Sequence, residues 1–107
     1  MTTVELTRFH VAPGDVSRLL AARPAMLADF RADRAGFLGA WLVRLPGDEW
    51  LDIVHWRTAG DFADSRAKGA NLPGVRAFFE AIDHVVSAEA GTAVEDEDRA
   101  SGTDGTA

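Results

Sequence analysis

The stretch GFLGAWLVRLPGDEWLDIVHWRT constrains this chain most. Two runs of aliphatic, β-branched and aromatic residues flank PGDE, the pattern of a β-hairpin. The first strand carries Leu38, Ala40 and Leu42 on one side and Phe37, Trp41, Val43 and Leu45 on the other, so both of its faces are apolar. A strand of that kind needs two covers. Helices of the same chain supply one, and a second copy packed sheet against sheet supplies the other. The expectation is a homodimer in which Leu38, Leu42, Leu51 and Ile53 help cover the shared face.

The segments around the hairpin complete a fold. Val4 to Val11 reads as a strand, broken by APGD, with Asp15 placed to cap a helix. Val16, Leu19, Leu20, Leu27 and Phe30 recur at helical spacing, and Pro24 within them predicts a kink or restart near Ala22 to Pro24. After the hairpin, Thr58 with Asp61 three residues on resembles a capping box. NLPG then divides the second helix in two, with Pro73 near the first position of the second piece. The last strand lies in HVVSAEAGTAVE. The order is βαββαβ, whose compact solution is a ferredoxin-like α+β sheet with both helices on one face. Within that sheet the first strand is central.

Composition narrows the function. At 107 residues and 47% hydrophobic the chain is one domain, expected over residues 1–94. Five acids and one arginine in EDEDRASGTDGTA carry four of the six excess negative charges, so residues 95–107 read as an acidic disordered tail. A single lysine, Lys68, and no basic stripe argue against a nucleic-acid surface. No apolar stretch approaches the ~18 residues of a membrane span, and the N-terminus lacks a signal pattern. A cytoplasmic protein is expected. Without cysteine, disulfides, thiolate metal sites and a cysteine nucleophile are excluded. The three histidines lack ligand spacing, so no metal is expected.

The residues able to carry chemistry lie mostly on the hairpin. A tight turn at Gly47 and Asp48 would set Leu45 opposite Trp50, Trp41 opposite Val54 and Gly39 opposite Trp56. Trp41, Trp50, Asp52 and Trp56 would then share a face, and His55 would point away from it. Trp56 beside Gly39 either packs in the core or leaves space for a flat aromatic ligand. Asp52, an acid among apolar neighbours, either pairs with an arginine or has its pKa raised and serves as a base. Asn71 sits in the helix break as a turn residue or a substrate contact. Arg8 and His10, on a central strand, face a pocket, a partner or the strand end. His84 lies at a helix-to-strand junction.

The βαββαβ order together with FHVAPGD, GFLGAWLVRL, DIVHWRTAGDF and VRAFFEAIDHVVS resembles the antibiotic biosynthesis monooxygenase-like family of dimeric α/β barrels, over about residues 2 to 94. The resemblance implies a dimeric barrel and a pocket between sheet and helices, bordered by a strand-three tryptophan that matches Trp56. It implies a cofactor-independent monooxygenase that stabilises the anion of an aromatic polyketide-like, phenolic or quinol substrate, which itself reduces O2. Trp56, Asp52 and Asn71 are then the catalytic candidates, and Trp41, Trp56, Gly39, Phe30, Arg76 and Phe78 the substrate-binding ones. The alternative is a non-catalytic dimeric module that binds a small molecule or stabilises a partner. Haem-degrading members use an asparagine on strand one and a histidine on helix two; neither is present. Quinone-forming members commonly place tyrosine, asparagine and arginine around the substrate, and this chain has no tyrosine.

Overall fold

The computed structural model describes residues 1–95. The acidic tail expected from Glu95 onward falls, past its first residue, outside them. The chain forms β1 (Thr3–His10), α1 (Val16–Asp33), β2 (Phe37–Arg44), β3 (Glu49–Trp56), α2 (Ala59–Lys68), α3 (Pro73–Glu80) and β4 (His84–Thr92). A short 3-10 turn, Pro13–Asp15, leads into α1, and Asp15 makes no side-chain capping bond there. The strands form one antiparallel sheet in the order β2-β3-β1-β4, the ferredoxin-like α+β arrangement with β1 central.

Local chemistry explains most boundaries. Thr58 caps α2, its hydroxyl oxygen accepting from the Asp61 N–H at 3.0 Å. Pro73 opens α3 at a position where its missing N–H costs nothing. Leu72, the α3 N-cap, has no capping side chain, and Asp29 of α1 substitutes: its Oδ2 accepts from the N–H groups of Gly74 at 2.8 Å and Val75 at 3.3 Å. The two helices meet so closely there that a Cβ on Gly74 would lie 2.6 Å from the Ala25 carbonyl oxygen. Gly74→Ala is therefore expected to lower stability by about 1–3 kcal/mol, the usual cost of overpacking, in a urea titration.

Two expectations change. Of the kink or restart expected at Pro24, the restart is absent, because the first helix runs unbroken from Val16 to Asp33. Pro24 lies on the exposed side and Leu20, whose carbonyl loses its partner, is half exposed, so water can satisfy that group. The hairpin register also differs by one residue. Leu45 N–H donates to the Glu49 carbonyl, leaving Pro46, Gly47 and Asp48 as a three-residue loop with Gly47 at φ 75° and Asp48 at φ 60°. Trp41 consequently pairs with Ile53, Leu42 with Asp52 and Gly39 with His55; a bulge at Leu38 then restores Phe37 to Trp56.

A slip of one residue exchanges faces. Trp41 belongs to the face away from the helices and is 62% exposed, whereas Leu42 turns inward and packs against the core. The core between sheet and helices holds Phe9, Leu19, Met26, Phe30, Trp50, Val54, Trp56, Val75 and Phe78. On the uncovered face Trp41, Ile53 and Leu6 form one cross-strand row and Val43, Leu51 and Arg8 the next. Of the residues expected to cover a partner, Leu51 and Ile53 are on this face, and Leu38 is exposed at the bulge. Trp41 and Val43 take the place assigned to Leu42.

Candidate active site

Between the sheet and the helices lies a cavity of about 490 Å³. Its floor is Glu5, Thr7 and Phe9 of β1 with Asp52 and Val54 of β3, successive inward positions of two paired strands. Its helical walls include Met26, Phe30 and Phe78, and Arg34 follows α1. Phe79, Val85 and Ala88, all exposed, stand on its β4 side. The volume and the largely apolar walls suit a small ligand.

Four charged residues line the cavity, Glu5, Arg34, Asp52 and Arg66. Glu5 lies between Thr3 and Thr7 on the inward face of β1, and burial, helped by the charge of Asp52, raises its carboxyl pKa above the usual carboxylate value. A bond from the Trp56 indole, Nε1 to Oε1 at 3.0 Å, opposes that rise, as do the charges of Arg66 and Arg34. Arg34 is 5% exposed; its Nη1 and Nη2 donate to the carbonyls of Ser65 at 3.3 Å and Gly69 at 2.6 Å. Its Nε–H is buried and has no acceptor among the described residues, an expensive state for a donor. Burial pulls the Arg34 pKa down from its ordinary value, yet the guanidinium stays cationic.

Asp52 meets the first of its two expected fates. Both of its oxygens are held by Arg23, Nη1 to Oδ2 at 2.7 Å and Nη2 to Oδ1 at 2.8 Å, in a bidentate pair. The Arg23 guanidinium also lies 5.1 Å from the centre of the Phe78 ring. Asp52 thus lines the cavity with its acceptors occupied by a cation.

The other sequence candidates divide. Phe30 and Phe78 line the cavity. Trp56 does not: it is fully buried, with the rings of Phe30, Phe37 and Phe62 around it at 5.9, 5.7 and 6.4 Å. The space expected over its ring is absent because Gly39 pairs with His55 instead. Trp56 meets two residues that line the cavity, Phe30 and Glu5. Trp41 and Gly39 lie in the uncovered-face rows. Asn71 donates to Asp33 Oδ2 at 3.1 Å, and Arg76 donates to the carbonyls of Ala70 and Asn71, so both knot the α2–α3 connection. His55 faces away from the helices, opposite Val4.

Glu5 and Arg34 are the residues that sequence reasoning missed. Glu5 had a signal: in TVELTRFH it occupies the same strand face as Thr3, Thr7 and Phe9, an acid on the inward side of a central strand. Arg34 had none, because its burial depends on where α2 ends.

No family model matches this sequence, and no curated protein matches it. Solved structures do. A candidate antibiotic biosynthesis monooxygenase from Bordetella bronchiseptica superposes with a TM-score of 0.73 at 18% identity, over 88% of this chain and 98% of that one. SnoaB, a cofactor-independent oxygenase from Streptomyces nogalater, gives 0.67 at 22% identity, over 89% and 95%. A candidate antibiotic biosynthesis monooxygenase from Caulobacter crescentus gives 0.67 at 14% identity, over 88% and 91%. At these identities the likeness is one of fold.

Proposed function

We infer, from a chain that shares its fold with antibiotic biosynthesis monooxygenases, that this protein is itself a cofactor-independent monooxygenase. Its substrate class is a flat phenolic or anthrone-type molecule such as aromatic polyketides supply, and it works as a cytoplasmic homodimer in secondary metabolism. The observation that carries this reading is Glu5, its pKa raised by burial, lining one largely apolar cavity together with the cations Arg34 and Arg66.

Glu5 accepts a proton from the substrate methylene or phenol, its basicity raised by burial. Arg34, with Arg66, stabilises the anion left behind; a preorganised cation in a dry pocket does this better than water. The electron-rich anion passes an electron to O2, the two radicals join as a peroxide anion, and Glu5 returns its proton to give the hydroperoxide. Loss of water then leaves a carbonyl, so CH2 and O2 become C=O and H2O. Trp56 positions Glu5 and holds its carboxylate.

The test is oxygen uptake by the purified chain with an anthrone, after EDTA treatment. One O2 consumed per quinone formed, well above the spontaneous rate, is the expected result. Saturable binding without turnover would replace this reading with that of a small-molecule-binding module.

The dimer is argued from the uncovered face. Trp41, Val43, Leu51, Ile53 and Leu6 form an apolar patch that a lone chain leaves to water. Light scattering at micromolar concentration is expected to give twice the mass of one chain, and Trp41→Glu to halve it. One chain's mass for the wild type would refute the dimer.

A further inference from the structure

Two histidines 74 positions apart in the sequence meet where β1 ends and β4 begins. The cause is a bulge: Arg8 pairs with Ser87 but Phe9 with Val85, so an extra β4 residue brings His84 opposite His10. The imidazoles stack at 5.1 Å with 17° between their planes. The Nδ1 atom of each ring lies 3.0 Å from the same carboxylate oxygen, Oδ2 of Asp83. The Asp83 N–H donates to the His10 carbonyl at 2.9 Å, which holds the Asp83 backbone beside His10.

We propose that His10, His84 and Asp83 form a binding site for a divalent transition metal of the zinc class, separate from the cavity and its chemistry. Two imidazole nitrogens and one carboxylate oxygen are the donor set that such an ion takes, and the three ligand atoms lie within 4.8 Å of one another. At metal–ligand distances of about 2.0–2.1 Å, donors in a tetrahedral site stand roughly 3.3 Å apart. The two Nδ1–Oδ2 separations already approach that value. Only the nitrogens have to close, and the His84 and Asp83 side chains, 60% and 52% exposed, are able to move. Water completes the coordination. The backbone contribution is preorganisation: strand pairing holds one histidine against the other, and an ion adds a cross-link between β1 and the edge strand β4.

Equilibrium dialysis of the tag-free full-length chain against ZnCl2, with histidine-ring NMR, tests this. The expected result is one saturable ion per chain, with the ring resonances of His10 and His84 moving and those of His55 unmoved. His84→Gln and Asp83→Asn, both surface changes, should each weaken binding at least roughly tenfold, a loss that even an outer-shell partner brings. His55→Gln should leave it unchanged. No saturable uptake, full affinity in His84→Gln, or an equal loss in His55→Gln would overturn the proposal.

Discussion

Arg23→Ala is expected to destabilise the fold by about 3–5 kcal/mol, the cost of leaving one member of a buried ion pair without its partner. The Arg23 and Asp52 side chains are 10% and 12% exposed, and the two short bonds between them join α1 to the centre of the sheet. Removing the arginine strands a carboxylate under Phe78 and deletes the cation over that ring. The double variant Arg23→Met with Asp52→Leu should recover most of the loss, because an apolar pair of similar volume has no charge to desolvate. Urea unfolding of both variants measures the difference. A single variant within 1 kcal/mol of the wild type would show that the pair does not hold the helix to the sheet.

Glu5→Gln is expected to lower turnover by roughly 10²–10⁴-fold, the usual contribution of a positioned base, while ligand affinity changes little. The substitution keeps the shape of the side chain and an acceptor for the Trp56 indole. It should also fold well, and linkage gives the sign. The Glu5 pKa is higher in the folded chain than its ordinary value of 4.5. Its contribution to stability is therefore fully present in acid below the unfolded value and is lost as pH rises through the folded value. As pH rises the wild type has to ionise a desolvated carboxyl group, which Gln does not.

The same shift shapes the pH profile. Turnover should rise as Glu5 ionises, along a limb above the ordinary glutamate range. Trp56→Phe removes the bond that favours the carboxylate, so that limb should move to higher pH with the protein still folded. A merely structural Trp56 would alter the amplitude and leave the limb where it is.

The fold could be read from the sequence because its signals were local. The hairpin, the Thr58 cap and the Pro73 start each fix a boundary within a few residues, and βαββαβ leaves few sheets to choose from. What failed was the count of loop residues between Leu45 and Glu49. One residue there moved Trp41 to the outer face, turned Leu42 inward and took Gly39 away from Trp56. The site depended on distances that no local pattern encodes. Asp52 found Arg23 across 29 positions, and Glu5 found Trp56 across 51. The His10–His84 pair required a bulge in the last strand, and nothing in HVVSAEAGT announces one.

We propose that this cavity ionises its ligand with Glu5 as base and Arg34 as counter-ion. Rapid mixing of the protein with an anthrone under argon tests this directly, because without O2 the reaction stops at the anion. The absorption band of the anthrone anion is expected to appear at a pH where the free ligand stays neutral, and Glu5→Gln to abolish it. A neutral bound ligand in the wild type, or an anion band of equal size in Glu5→Gln, would contradict it.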